Sequence, residues 1–252
     1  MNLHVVLRVH DRGNVHAAGR ITDPAPKSEV VLRCLKSLRA ALGQLEGSVL
    51  WTVSVINDDV SKPVLDAILR WGWEVFDLDG TGNNTSMLAA FTKARESTAD
   101  LVYLVEDDFL HHPSALVEMI QAWTLVKRQG VVYPVIYPYD DPLNYLPQHN
   151  GPTLVVPGGI CHWRANTYTT ATVLCSPDLF RNYWHLWERL ATMYEKDNGQ
   201  THEGTTINRI WQSRVVKLMT PLPSLAVHLN EHEPFVVDWR ALWEHFADGD
   251  PA

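Results

Sequence analysis

The stretch Leu101-Val102-Tyr103-Leu104-Val105-Glu106-Asp107-Asp108 sets five apolar residues directly against three acids. An unbroken apolar run of this length, rich in β-branched and aromatic residues, reads as an interior strand covered on both faces. Three adjacent carboxylates at its tip raise one another's pKa unless solvent, hydrogen-bond donors or a cation meets them. A divalent metal removes that conflict. Hard carboxylate oxygens suit Mg²⁺ or Mn²⁺, ions that keep several waters and bridge to substrate phosphates. The plainer alternative is a solvated acidic turn that caps a helix opening near Pro113. Placement at the end of a central parallel strand favours the metal.

The residues before this stretch supply that context. Leu3 to Val9 and Leu50 to Ile56 are β-rich runs without strong alternation, and Trp73 to Leu78 is a third short strand. Between them, Val31, Leu35, Leu38, Leu42 and Leu45 step by four and three after a capping Ser28, the period of an amphipathic helix. Ser61 and Pro63 open a second helix that stops at Gly72, and a third is expected from about Thr85 to Glu96. The order β-α-β-α-β-α-β predicts an α/β fold with a mostly parallel central sheet flanked by helices, and ligands then bind outside the carboxyl ends of the strands.

Beyond the acids, Pro113 is expected to start a helix carrying Leu116, Met119, Ile120 and Trp123, with strands at Val131 to Tyr137 and Thr170 to Cys175. Pro177 to Tyr194 and Thr205 to Ser213 read as helices. Residues 138 to 166 are rich in Pro, Gly and Asn and read as a long loop over an acceptor groove. At 252 residues a single domain is expected, its first 110 or so residues holding the nucleotide and the remainder, to residue 252, holding the acceptor and catalytic groups.

The 46% apolar and 20% charged fractions set disorder aside. A net charge of -8 argues against a broad phosphate-binding face. Cys34, Cys161 and Cys175 form neither an even framework nor a CxxC pair, which suggests reduced thiols. With no signal-like start and no long apolar run, the expected location is cytoplasmic. The sequence contains no GxxxxGK[ST] or GxSxG motif, and Gly80-Thr81-Gly82 does not complete GxGxxG.

The order of elements and the Glu106-Asp107-Asp108 triplet resemble the GT-A (Rossmann-like) glycosyltransferases, in which an acidic D-x-D motif after the fourth strand carries the donor's metal. The variant Leu104-Val105-Glu106-Asp107-Asp108-Phe109 looks like the Glu-Asp-Asp form of the N-acetylglucosaminyltransferase I group, and the layout is similar to family 2 enzymes. The resemblance implies that Asp108 is the metal ligand, while Glu106 and Asp107 hold the ribose or the metal's waters. His10-Asp11-Arg12 is similar to the family's nucleotide-contacting turn, and Asn57-Asp58-Asp59 to the turn that meets the base. Donor-binding candidates are therefore Arg8, His10, Arg12, Asp58, Asp59, Asn83 and Asn84, with salt bridging or helix capping as the plainer roles of the arginines and asparagines.

Inversion needs a carboxylate that deprotonates the acceptor hydroxyl. Glu203 stands where related enzymes place an Asp or Glu, with a first-turn helix role as the alternative and Asp178 in reserve. His228 sits where many GT-A enzymes return a histidine to the metal; a simple hydrogen-bonded histidine is the other reading. His111 and His112 are read as capping residues, and Asn230-Glu231-His232-Glu233 as a tail over the donor. Trp163, Tyr168 and Trp211 are candidates for stacking on the acceptor, with core packing as the alternative for each tryptophan. The implied reaction takes a sugar from a UDP- or GDP-like donor with Mn²⁺ or Mg²⁺. A glycan, a lipid-linked sugar, a protein or a hydroxylated DNA base are the acceptors considered. Rival readings are a sugar-phosphate nucleotidyltransferase and a non-catalytic carbohydrate-binding module.

Overall fold

The apolar runs and helical periodicities become alternating strands and helices. The computed structural model describes residues 1–12, 25–146, 153–169, 172–193, 202–229 and 237–247. Its first half runs β1 (Asn2–Val9), α1 (Lys27–Gly43), β2 (Leu50–Asn57), α2 (Lys62–Arg70), β3 (Glu74–Asp77), α3 (Asn83–Glu96) and β4 (Leu101–Glu106). There follow β5 (Phe109–His111), α4 (Ala115–Arg128), β6 (Tyr133–Ile136), a 3₁₀ turn at Pro142–Tyr145, β7 (Val155–Pro157), β8 (His162–Asn166) and β9 (Val173–Cys175). The last elements are α5 (Pro177–Asn182), α6 (Trp184–Met193), α7 (His202–Thr205), α8 (Ile207–Trp211), β10 (Val216–Leu222), β11 (Ala226–His228) and α9 (Trp239–His245).

Among the described residues the main sheet has nine strands in the order β3-β2-β1-β4-β9-β6-β10-β8-β7. β1 pairs in parallel with β2 and β4, β2 with β3, and β6 with β10. β9 and β8 run against their neighbours, so the sheet is mostly parallel. Helix α1 packs beside α2 and α4, and α3 beside α5 and α6, giving a helical layer for each face. The buried apolar residues of β1 and β4 meet Val31, Leu35, Leu38 and Leu42 of α1 in one continuous core, each buried leucine contributing about 1.5–3 kcal/mol.

Strand order determines where loops diverge. The chain builds outward from β1 to β3, then returns through α3 to add β4 on the other side of β1. At such a reversal the loops after the two strands separate and leave a crevice at their carboxyl ends. The loops carrying His10 and Asp107 flank it.

Several elements depart from the expectations. Residues 138–166 hold a strand pair, β7 and β8, because Trp163 alternates into the core between exposed His162 and half-buried Arg164; short strands among Pro and Gly give little periodic signal. The expected helix from Pro177 breaks at Tyr183, and the one near Thr205 is divided at Thr206 by φ -123° and ψ -101°. Ser28 does not cap α1, which starts one residue earlier after an extended Pro26. Helix α3 begins two residues before Thr85, so Asn83 and Asn84 belong to its first turn. The expected tail at Asn230-Glu231-His232-Glu233 lies outside the described residues, as do the first two residues of the strand expected at Thr170. All three cysteines are free and buried. Among the described residues no helix is long and apolar enough to cross a membrane.

Candidate functional site

The crevice between β1 and β4 collects most of the polar residues singled out in the sequence. Parallel pairing sets Arg8 beside Glu106 in register, so both side chains leave the same face of the sheet. The Arg8 guanidinium donates to Glu106 Oε1 and to Asn83 Oδ1, tying the tip of β4 to the first turn of α3. One step on, the His10 backbone N–H donates to Asp107 Oδ2 at 2.5 Å, and His10 Nδ1 donates to the Asp58 carbonyl at 2.6 Å. Asp58 Oδ1 accepts from the Gly82 N–H at 3.2 Å. Arg12 pairs with Asp59 at 2.9 Å, with both side chains largely exposed, a contact worth at most about 1 kcal/mol. Asn84 sits beside this cluster with its Oδ1 buried and without a hydrogen-bond partner among the described residues.

A small second sheet completes the site from the far end of the chain. β11 pairs antiparallel with β5, setting His228 opposite Phe109, and the Leu229 N–H donates to the Asp108 carbonyl at 2.9 Å. The His228 ring stacks on Phe109 at 4.7 Å, and its Nε2 lies 3.2 Å from Asp108 Oδ2. Glu106, Asp108 and His228 each offer a ligand atom, all within 4.8 Å of one another. Two carboxylate oxygens and one imidazole nitrogen form a donor set suited to Mn²⁺ and acceptable to Mg²⁺.

The charges are out of balance in the way a cation corrects. Burial, then the neighbouring Asp108, pushes the Asp107 carboxyl up to about 7. Burial alone would raise Asp108 too, but His228, Arg8 and Lys27 outweigh it and hold this carboxyl below its ordinary range. Asp108 is thus the carboxylate kept ionised, and Asp107 the one whose charge the protein leaves poorly compensated.

The remaining candidates are less tightly gathered. Glu203 lies in α7, half-buried. In the neighbouring α8, Asn208 Oδ1 accepts from the Thr169 N–H at 3.3 Å, and at the acidic turn Thr172 Oγ1 accepts from the Glu106 N–H at 3.4 Å. Asp178 pairs with Arg181, which also bonds the carbonyls of Arg95 and Ser97 at the carboxyl end of α3. That is the end away from Asn83, so Asp178 is not brought to the crevice. Trp163 and Trp211 are 1% and 3% exposed; both rings are core, which corrects the stacking role given to them and leaves half-buried Tyr168 as its candidate. His111 is not a cap: it is a buried β5 residue whose Nε2 bonds the Tyr103 hydroxyl at 2.7 Å. His112 does bond Ser114, the residue before α4.

Three buried acids have roles that the sequence did not assign them. Buried Asp11 holds the loop after β2 by accepting from the Ser61 N–H at 2.7 Å. Asp140 and Asp141, also buried, follow β6 on the same sheet edge as the acidic triplet. Asp140 accepts from Arg164 at 2.6 Å and from the Tyr145 hydroxyl at 2.5 Å. Acids shortly after a strand end were the signal in both places, obscured at Asp140 by the loop-like composition around it.

A scan against protein-family models finds none that matches, and a search of curated proteins finds no match. Among solved structures, a nucleotidyl transferase from Methanothermobacter thermautotroptrophicus aligns with a TM-score of 0.52 at 13% identity, over 97% of this chain and 97% of that one. TarS 1-349 of S. aureus aligns at 12% identity and TM-score 0.49, over 87% of this chain. This chain spans 60% of the length of that TarS fragment. A CMP:2-keto-3-deoxy-manno-octonic acid synthetase complexed with CTP gives 13% identity and TM-score 0.45, over 90% of this chain and 93% of its own. The first of these supports the α/β fold with its mostly parallel sheet; at such identities the likeness is one of fold alone.

Proposed function

We propose that the chain is a metal-dependent, inverting glycosyltransferase that moves a sugar from a UDP- or GDP-like donor to an acceptor hydroxyl. The observation that carries this reading is the meeting of Glu106, Asp108 and His228 at the carboxyl end of β4, beside the switch point of a parallel sheet. Asp108 and His228, with Glu106 as a third donor, are the residues that would hold Mn²⁺ or Mg²⁺. Such an ion, when bound, neutralises the diphosphate leaving group. Arg8 adds a fixed positive charge on the α3 side, and the loops of His10, Arg12, Asp58 and Asp59, with Asn84 in the first turn of α3, offer polar groups for the base and ribose. Glu203 accepts the proton of the acceptor hydroxyl as its oxygen bonds to the anomeric carbon and the carbon–oxygen bond to the diphosphate breaks. Tyr168 is the aromatic candidate on the acceptor side. The free, buried cysteines support a reducing, cytoplasmic setting.

The test is thermal unfolding with UDP, GDP and their sugars, with and without Mn²⁺. A ligand at a hundred times its Kd adds about 2.7 kcal/mol to stability, and this gain should need the metal. Asp108→Ala should lose both the gain and transfer while keeping its circular dichroism. Unchanged unfolding of the wild type with every nucleotide, or full transfer by Asp108→Ala under chelation, would defeat the reading. Nucleotidyl transfer is the second reading, favoured by the fold likeness to the Methanothermobacter nucleotidyl transferase. Release of pyrophosphate from a nucleoside triphosphate, instead of a nucleoside diphosphate from a sugar donor, identifies it.

A further inference from the structure

The opposite end of the same strands carries a second opening. A groove of about 640 Å³ lies at the amino ends of β1, β2 and β3, where Trp51, Thr52, Trp71 and Trp73 line it together with His4 and Lys93. This volume falls within the ~300–1,000 Å³ typical of small-molecule sites. Five residues of β1 lie between His4 and His10, six steps or about 20 Å at the usual strand rise, so the groove is distinct from the acidic turn.

Its floor is polar where an interior sheet would ordinarily be apolar. His4 and Ser54 are both buried in central strands, a placement that costs free energy unless every polar atom is satisfied. Here the groups form one directed chain. Ser54 Oγ donates to Glu74 at 3.1 Å, so it accepts from His4 Nε2 at 2.9 Å; His4 Nδ1 then accepts from Ser97 Oγ at 3.0 Å. This places a proton on Nε2. Burial, then the charge of Lys93, lowers the His4 pKa and favours the neutral ring, with Nδ1 accepting from Ser97.

The walls are aromatic. The Trp71 ring stands 4.9 Å from that of Trp73, tilted by 55°; Trp73 is buried, and Trp71 and Trp51 are the half-exposed indoles of the lining. Lys93 is engaged by the Phe76 ring at 3.6 Å and by Glu74 at 3.8 Å, and Glu96 adds a further negative charge. An anion therefore finds no uncommitted cation in the lining. Flat indole faces beside hydroxyl, carboxylate and ammonium groups match a ligand with apolar C–H faces and a rim of hydroxyls.

We propose that this groove is a second binding site, for a neutral saccharide, separate from the acidic turn. The test is titration of the full chain with maltotetraose, cellotetraose and chitotetraose, followed by tryptophan fluorescence, with uridine and inorganic phosphate as competitors. At least one tetrasaccharide should saturate the signal with a Kd of about 1 mM or tighter. Trp71→Ala should weaken binding at least tenfold. Thr52→Trp, which fills the groove from an exposed position and leaves the core untouched, should do the same, with native circular dichroism in both variants. Neither substitution should alter stabilisation by UDP and Mn²⁺. Absence of binding by all three sugars, binding that survives Thr52→Trp, or displacement by uridine or phosphate would overturn the assignment.

Discussion

Arg8 shows how much one side chain in the crevice decides. It is held between Glu106 and Asn83 with only 20% of its side chain exposed, and the acids around it raise its pKa despite burial. Arg8→Ala leaves Glu106 half-buried without its partner, at a cost of about 2 kcal/mol, read as a lower urea midpoint. His111 and Asp107 give opposing pH dependences. Burial lowers the His111 pKa to about 4 from the ordinary 6.5, so between those values the unfolded chain binds the extra proton at this residue. The His111 contribution to stability therefore falls by about 3 kcal/mol as pH drops from 6.5 to 4, while Asp107, raised to about 7, contributes in the opposite sense over that range. His111→Gln should remove the first contribution and shift the slope of the stability profile accordingly in denaturant titrations at several pH values; an unaltered slope would show that His111 is not responsible. The acids were readable as candidates because charge directly after an interior strand is unusual, and Arg8 and His10 entered through the resemblance to GT-A enzymes. The burial of Trp163 and Trp211 was not readable, since an indole suits a sugar platform and a core equally well.

At the scale of elements, the entry to α3 and the β5–β11 pair position the site. Gly82 precedes α3 with φ 90° and ψ 174°, a region open essentially to glycine alone. A Cβ there would touch nothing within 4 Å, so Gly82→Ala carries a backbone penalty of about 1–3 kcal/mol without a clash. It should also shift Asn83 from Arg8 and weaken nucleotide binding in the thermal assay. Gly43, at the end of α1 and equally uncrowded, is the control: Gly43→Ala should stabilise by about 0.5–1 kcal/mol. Most helices and parallel strands were legible from period and punctuation. The strands β5, β7 and β8 were not, because three to five residues give too little alternation to separate them from loop, and neither was β10, whose Pro221 and Lys217 interrupt its apolar run.

Over the whole molecule, one buried apolar cluster runs from β1 and α1 through β4 and β6 to β10 and α9. The nucleotide and acceptor halves expected from sequence therefore share a core, and the described elements should unfold together. Calorimetry should give one transition with equal calorimetric and van't Hoff enthalpies; two transitions would divide the chain near residue 110. The sequence by itself determined the alternating α/β order, the interior strand ending in three acids and the set of polar loops along one edge, because local periodicity and charge encode these directly. Only the tertiary structure decided that His228, 120 residues beyond Asp108, closes the carboxylate pair, and that two tryptophans and His111 belong to the interior. Those facts depend on strand order and on pairing between distant segments, which burial of the common core selects and which no short window of residues contains.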